Sequence, residues 1–349
     1  MGYEWILNKA TLFNLQESRK KMNIIMNRIL ITAFVFMLFL QACQKNIEGF
    51  KLDEIQAAAE PVWQNNISPN APVVALKNGL RKPQIIDSFS YNNAGTFFLA
   101  GNLSLLIPAN GLASATGILP NGIIKRESLL ILKKGDFISM SMPTISNGRL
   151  LVSGGAYFLG LKNNNVDLLV AQGKKLNLHY STNAAPSAGM KIFNGMEDSM
   201  GGYNWVLNTD TFFSKVNPAL NGYEVHTNRL KWLHTARFSD SLGTPQTSLT
   251  LKLPPNYTNT NTVAYISFND QQSVAGVIGN AATRTFVSGN LPVNRQVTVV
   301  VISKQAGDYY LGKVPANTSV TSTGVNTQEI VITPVITPLP AVKMYLESL

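Results

Sequence analysis

Apolar and polar positions alternate with a period of two in short runs through the middle and later parts of the chain. Leu103 and Leu105 lead into Ile107-Pro108-Ala109-Asn110-Gly111, Leu130 and Leu132 precede Lys133-Lys134-Gly135-Asp136, and Leu176 and Leu178 precede His179-Tyr180. Leu249-Thr250-Leu251-Lys252-Leu253 alternates before Pro254-Pro255, and the rhythm continues through 263–268, 296–302, 309–311 and 329–332. Side chains two apart share one face of a strand, so such runs bounded by Gly, Asn and Pro predict half-buried strands. Their number and spacing predict an all-β chain with two antiparallel β-sandwich domains. The first spans 92–190 and the second 245–333, joined by an irregular connection over 191–244. Ahead of them, 43–91 has four prolines and little periodicity and reads as a flexible tether. Pro334, Pro338 and Pro340 mark 334–349 as a tail leaving the sheet.

One apolar run has a different character. Ile29 to Leu40 is apolar apart from Thr32, carries Arg28 on its amino side with Lys20 and Lys21 further upstream, and ends in Leu40-Gln41-Ala42-Cys43. As a helix it would rise about 18 Å, short of the ~20 residues that a membrane span requires, so it reads as a secretory signal over 22–42. A start at Met22 or Met26 gives a signal of ordinary length and leaves 1–21 as an untranslated leader. Leu-x-Ala-Cys resembles the lipobox of bacterial lipoproteins. The resemblance implies acylation of Cys43 and cleavage before it, hence a membrane partner through an amino-terminal lipid. Three acyl chains would make that anchor effectively permanent. Gln44 is not the aspartate that resembles an inner-membrane retention signal. Gln44-Lys45-Asn46-Ile47-Glu48 partly resembles a surface-export signal of Bacteroidota, which implies an outer-membrane protein at the cell surface, with a periplasmic-facing orientation as the alternative.

Charge and cysteine use narrow the partners. The 349 residues carry 29 Lys and Arg against 19 Asp and Glu, and without 1–42 the balance falls to 24 against 17. The excess is scattered, with no basic stripe, which argues against nucleic acid and fits a solvated surface. Cys43 is the only cysteine, so the exported part has no thiol for a disulfide or a Cys-based metal site.

A second resemblance lies in the first sandwich. Ile107-Pro108-Ala109-Asn110-Gly111, then Ser146-Asn147-Gly148-Arg149-Leu150-Leu151-Val152-Ser153-Gly154-Gly155, then Gly173-Lys174-Lys175-Leu176, resembles a ZU5-like β-sandwich common in Bacteroidota lipoproteins. It covers roughly Gly95 to Thr182 and implies an interaction module without catalytic residues. The His-Phe-Ser at which some ZU5 proteins cleave themselves is absent. The second sandwich is similar to a small immunoglobulin-like or carboxypeptidase-regulatory-like domain.

Catalytic and cofactor motifs are scarce. No two glycines are separated by one residue, which excludes the dinucleotide fingerprint; Gly-x-Ser-x-Gly and His-Glu-x-x-His are missing, and Ser-x-x-Lys occurs at Ser18 to Lys21, ahead of the signal. Gly307 to Lys313 matches seven positions of a phosphate loop, but Val314 replaces the Mg²⁺ ligand and the segment is strand material. His179, His226 and His234 are the three histidines; the spacing of the last two suits one strand face, and polar edge residues are the expected reading rather than metal ligands. No catalytic residue, metal or cofactor is expected. Tyr203, Trp205, Tyr223 and Trp232 gather in 191–244 and offer flat faces with polar edges suited to sugars or protein partners, although sandwich tryptophans are commonly buried. Asp198-Ser199-Met200 and Asp240-Ser241-Leu242 resemble the Bacteroidota O-glycosylation pattern. The expected function is a lipid-anchored envelope protein displaying a non-catalytic binding or adhesion surface for a glycan or protein ligand. A surface glycan hydrolase and a structural subunit of an envelope complex are the alternatives.

Overall fold

Strands account for most of the chain, and they collect into three sheets. The computed structural model describes residues 62–99, 103–182, 184–197, 202–319 and 327–349, so Cys43 and Ser199 lie outside the described residues. Three helices accompany the strands among these residues: α1 (Pro72–Leu80), α2 (Lys134–Ser139) and α3 (Leu339–Glu347). The chain is all-β in class.

The first β unit is a sandwich of two antiparallel sheets. One runs Ile85–Tyr91, Gly122–Ile131, Arg149–Asn163, Lys231–Phe238, Lys191–Glu197, Tyr203–Leu207 along its main path. The other has five strands in the order Lys215–Ala219, Gly222–Thr227, Leu176–Ser181, Leu103–Ile107, Gly95–Leu99. Alternation decides which side chains meet between them: Leu103, Leu105 and Ile107 from one strand and Leu176, Leu178 and Tyr180 from its neighbour all point inward onto Ile124, Tyr157, Leu159 and Leu161. The second unit is a single sheet that folds over on itself, because Leu249, Leu251, Ile266, Phe268, Val297, Val299 and Val301 of that one sheet share a core.

Between the two units lies a third core, which the period-two reading did not foresee. The far face of the first sheet contributes Leu129, Ile131, Leu151, Phe193 and Trp205, the second unit contributes Val263, Tyr265, Val300 and Ile302, and the helices fill the space between. Strand Thr262–Phe268 is therefore buried on both faces. Residues 60–349 form one compact unit rather than two beads on a linker.

Three segments depart from their expected character. The stretch 191–244 is not irregular; it carries five strands that complete the first sandwich. The expected tether holds α1, where Pro72 occupies the first turn, a position that needs no amide hydrogen, and Val73, Leu76 and Leu80 form one buried stripe. The proline-containing tail likewise starts α3, which buries Val342 and Leu346 in the central core. Helix α2 meets α3 so closely that only glycine fits at 135, since a Cβ there would overlap the Leu346 carbonyl.

Candidate functional site

The aromatic quartet of 191–244 does not form an exposed surface. Tyr203 and Trp205 lie two apart on one strand and so turn the same way, into the central core. Trp205 is 0% exposed, donates its indole N–H to the Pro143 carbonyl at 3.1 Å, and packs against Tyr203, Trp232 and His234 with ring centroids 5.0, 6.5 and 4.5 Å away. Trp232 is half-buried against Phe158. Burial pushes the Tyr203 phenol well above its ordinary value. Tyr223 belongs to the other core, inside the first sandwich, where its hydroxyl accepts the Ser187 amide hydrogen at 2.8 Å. Trp205, fully enclosed in a core, is corrected to a packing residue, and Tyr223 is buried as well. Ser241 is exposed at the start of the turn closed by the Thr244 amide.

Tyr223 does reach a pocket of about 350 Å³, bounded also by Ser153, Gly154, Met190, Gln272 and the end of α3. Its wall is made by a β-bulge: Thr235 opposes Gly155 and Ala236 opposes Ser153, which leaves Gly154 as the extra residue. A Cβ on Gly154 would sit 2.8 Å from the Tyr223 ring, so glycine lets the strand pass. Ser153 Oγ and His234 Nε2 share a hydrogen bond of 2.9 Å here, and Ser153 Oγ also accepts the Gly155 amide at 2.9 Å. Serine beside histidine invites comparison with a nucleophile and its base, but the surroundings argue otherwise. Burial pushes the imidazole down to about 3, Nδ1 has no hydrogen-bond partner among the described residues, and the ring packs against Phe137, Phe193 and Trp205. A base so weak is far from the range useful near neutral pH. The pair is a buried hydrogen bond that fixes the bulge.

The remaining two histidines meet on the outer face of the five-stranded sheet. Inward Leu176, Leu178 and Tyr180 leave Asn177 and His179 facing outward, and inward Tyr223 and Val225 leave Glu224 and His226 outward. Register then places Phe98, Ser104, His179, Glu224 and Asn217 side by side, one from each strand, across a width of about 19 Å at ~4.8 Å per strand. A parallel row beside it holds Thr96, Leu106, Asn177, His226 and Lys215. Glu224 is the electrostatic centre. Its carboxyl is held below its ordinary value first by the Asn177 side-chain amide, against a partial desolvation effect, with His226 Nε2 3.6 Å away and Asn217 and His179 adding to it. At one edge stands Phe98, 88% exposed.

This face pairs a fixed carboxylate, two amides and two imidazoles with one bare aromatic ring, which suits hydrogen bonding to hydroxyls alongside stacking. The sequence shows His179 and His226 as two of three histidines, and nothing in it signals that they and Glu224 are neighbours. Among the described residues no three His, Cys, Asp or Glu side chains converge as metal ligands, and no helix is long and apolar enough to cross a membrane. No protein family, no curated protein and no solved structure matches the chain.

Proposed function

We propose that this protein is a lipid-anchored binding protein of a Bacteroidota-like outer membrane, with a ZU5-like first unit, that holds a glycan across the outer face of its five-stranded sheet without acting on it chemically. The observation that carries the reading is the row Phe98, Ser104, His179, Glu224, Asn217. It spans the sheet, its members are exposed at Phe98 and half-exposed elsewhere, and its carboxylate is already fixed by neighbours rather than free to rearrange. Preorganised polar groups lose little freedom on binding, which is what a weakly hydrophobic ligand such as a sugar chain requires. Anchoring rests on Leu40-Gln41-Ala42-Cys43 and surface display on Gln44 to Glu48.

The test is a glycan array probed with wild-type protein and Phe98→Ala. The ring is exposed, so its loss leaves folding intact while removing the stacking surface. Wild type retaining a subset of glycans that Phe98→Ala releases supports the reading. Identical profiles from both proteins, or no glycan retained by wild type, refute it.

A further inference from the structure

We infer that two copies of this chain pair edge to edge through strand Ile85–Tyr91, continuing the first sheet across a two-fold axis at Ser88. The strand is paired on one side only, with Gly122–Ile131, from Ile85 opposite Ser128 to Tyr91 opposite Gly122. Among the described residues its other side has no strand partner, which leaves alternate backbone N–H and C=O groups pointing outward.

Four other sheet edges among the described residues carry features that discourage strand addition. At the opposite end of the same sheet, Tyr203–Leu207 is tied to the turn at Asn147: the Asn147 amide donates to Asn204 Oδ1 at 2.9 Å and Asn204 Nδ2 to Asn147 Oδ1 at 2.8 Å. Edge strand Lys215–Ala219 carries Lys215 and Pro218, both obstacles to strand addition. Thr327–Val331 carries Glu329, paired with Lys252 at 3.3 Å. Gly95–Leu99 is short and begins with glycine. Ile85–Tyr91 has neither proline nor lysine. Its one charge, Asp87, lies on the side of Phe89 and Tyr91 and is held by the buried Arg126. Ile85 and Ile86 are 40% and 60% exposed, an unusual position for two adjacent isoleucines on an unpaired edge.

The occupant is a second copy because the strand complements itself. Antiparallel pairing about Ser88 sets Ile85 against Tyr91, Ile86 against Ser90, Asp87 against Phe89 and Ser88 against its own equivalent. Ile86 meets the small Ser90, two hydroxyls meet at Ser88, and no like charges stand directly opposite, the two Asp87 lying on the diagonal about 7 to 8 Å apart with each held by its own Arg126; Tyr91, 1% exposed, is committed to its own core and adds nothing to the match. About six to eight backbone hydrogen bonds form. Lys125, which pairs with Ser88 on the neighbouring strand, would lie about 14 Å from its equivalent, beyond the ~10 Å over which exposed charges act in ordinary salt. A contact of one strand pair sits at the small end of specific interfaces, so association falls in the micromolar range. The inference stands apart from the glycan reading, but a dimer would double the binding faces on one particle.

The test is sedimentation of the full chain over a micromolar concentration series, with Ser88→Lys and Ser88→Glu alone and mixed. Ser88 is exposed, so both variants keep the wild-type melting temperature. Wild type shifts from monomer toward dimer with concentration, each variant stays monomeric because like charges meet on the axis, and the equal mixture recovers a dimer. A wild type that stays monomeric overturns the inference. So does a dimer that both variants retain unmixed.

Discussion

Replacing Trp205 with alanine separates a packing role from a ligand role. The indole is completely buried at the centre of the core shared by the first sheet, the helices and the second unit, so its removal leaves a cavity bordered by Tyr203, Trp232 and His234. Truncating a buried tryptophan costs about 3 to 5 kcal/mol. The Pro143 carbonyl also loses its donor, adding about 1 to 3 kcal/mol if water does not replace it. A loss of about 4 to 8 kcal/mol is comparable with the whole stability of many domains. At an unfolding entropy of about 2.1 cal/mol/K per residue, a unit spanning 60–349 shifts by about 1.6 °C per kcal/mol, so even the lower figure lowers Tm by about 6 °C. Trp205→Phe keeps most of the packing and forfeits the hydrogen bond, so it should fall between wild type and alanine. Thermal melts followed by circular dichroism at fixed protein concentration check both. A Trp205→Ala protein melting within about 2 °C of wild type would refute the placement of this residue in a load-sharing core.

Three further outcomes are expected. Gly135→Ala forces α2 and α3 apart, because the obstacle is Leu346 backbone that no rotamer can move; overpacking of about 1 to 3 kcal/mol should appear as a Tm drop, and deletion of 339–349 should abolish the additional effect of the substitution. His234 has a folded pKa lowered to about 3 against about 6.5 when unfolded, so only the unfolded chain takes up its proton between those values; stability falls as pH drops through that window, by up to about 1.4 kcal/mol per unit, and denaturant titrations of His234→Asn should show a shallower acid slope than wild type. Cys43→Ser should abolish metabolic labelling with a fatty-acid analogue, and equal labelling of both proteins would remove the anchor from the account.

How much of this was legible in the sequence depends on whether alternation survives burial. Leu103 with Leu105, Leu176 with Leu178 and Leu249 with Leu251 alternate against polar neighbours, and all lie in strands as the pattern implies. Strand Arg149–Asn163 is buried on both faces over most of its length, which erases the period. The strands of 191–238 hid for another reason: Thr227, His234 and Thr235 occupy buried positions, so polarity there does not mean exposure. Prolines at 72, 338 and 340 were read as breakers although they sit where helices begin. The proposed binding face had a partial signal, since Asn177 and His179 alternate with leucines and Glu224 and His226 with Tyr223 and Val225. What no local pattern supplies is the pairing of His179 with Glu224 across 45 residues of chain, which only the sheet register fixes.

The claim that the five-stranded sheet carries the ligand is tested most directly by equilibrium titration of the strongest array glycan against wild type, Phe98→Ala and Glu224→Gln, with melting temperatures taken on the same samples. Truncating an anchor of a binding site costs about 2 kcal/mol or more, roughly thirtyfold in Kd. The account predicts a loss of that size for Phe98→Ala and a measurable loss for Glu224→Gln, with both proteins melting close to wild type because neither side chain contributes to a core. Unchanged affinity in both variants, with wild type binding the same glycan tightly, would place the ligand elsewhere on the molecule and contradict it.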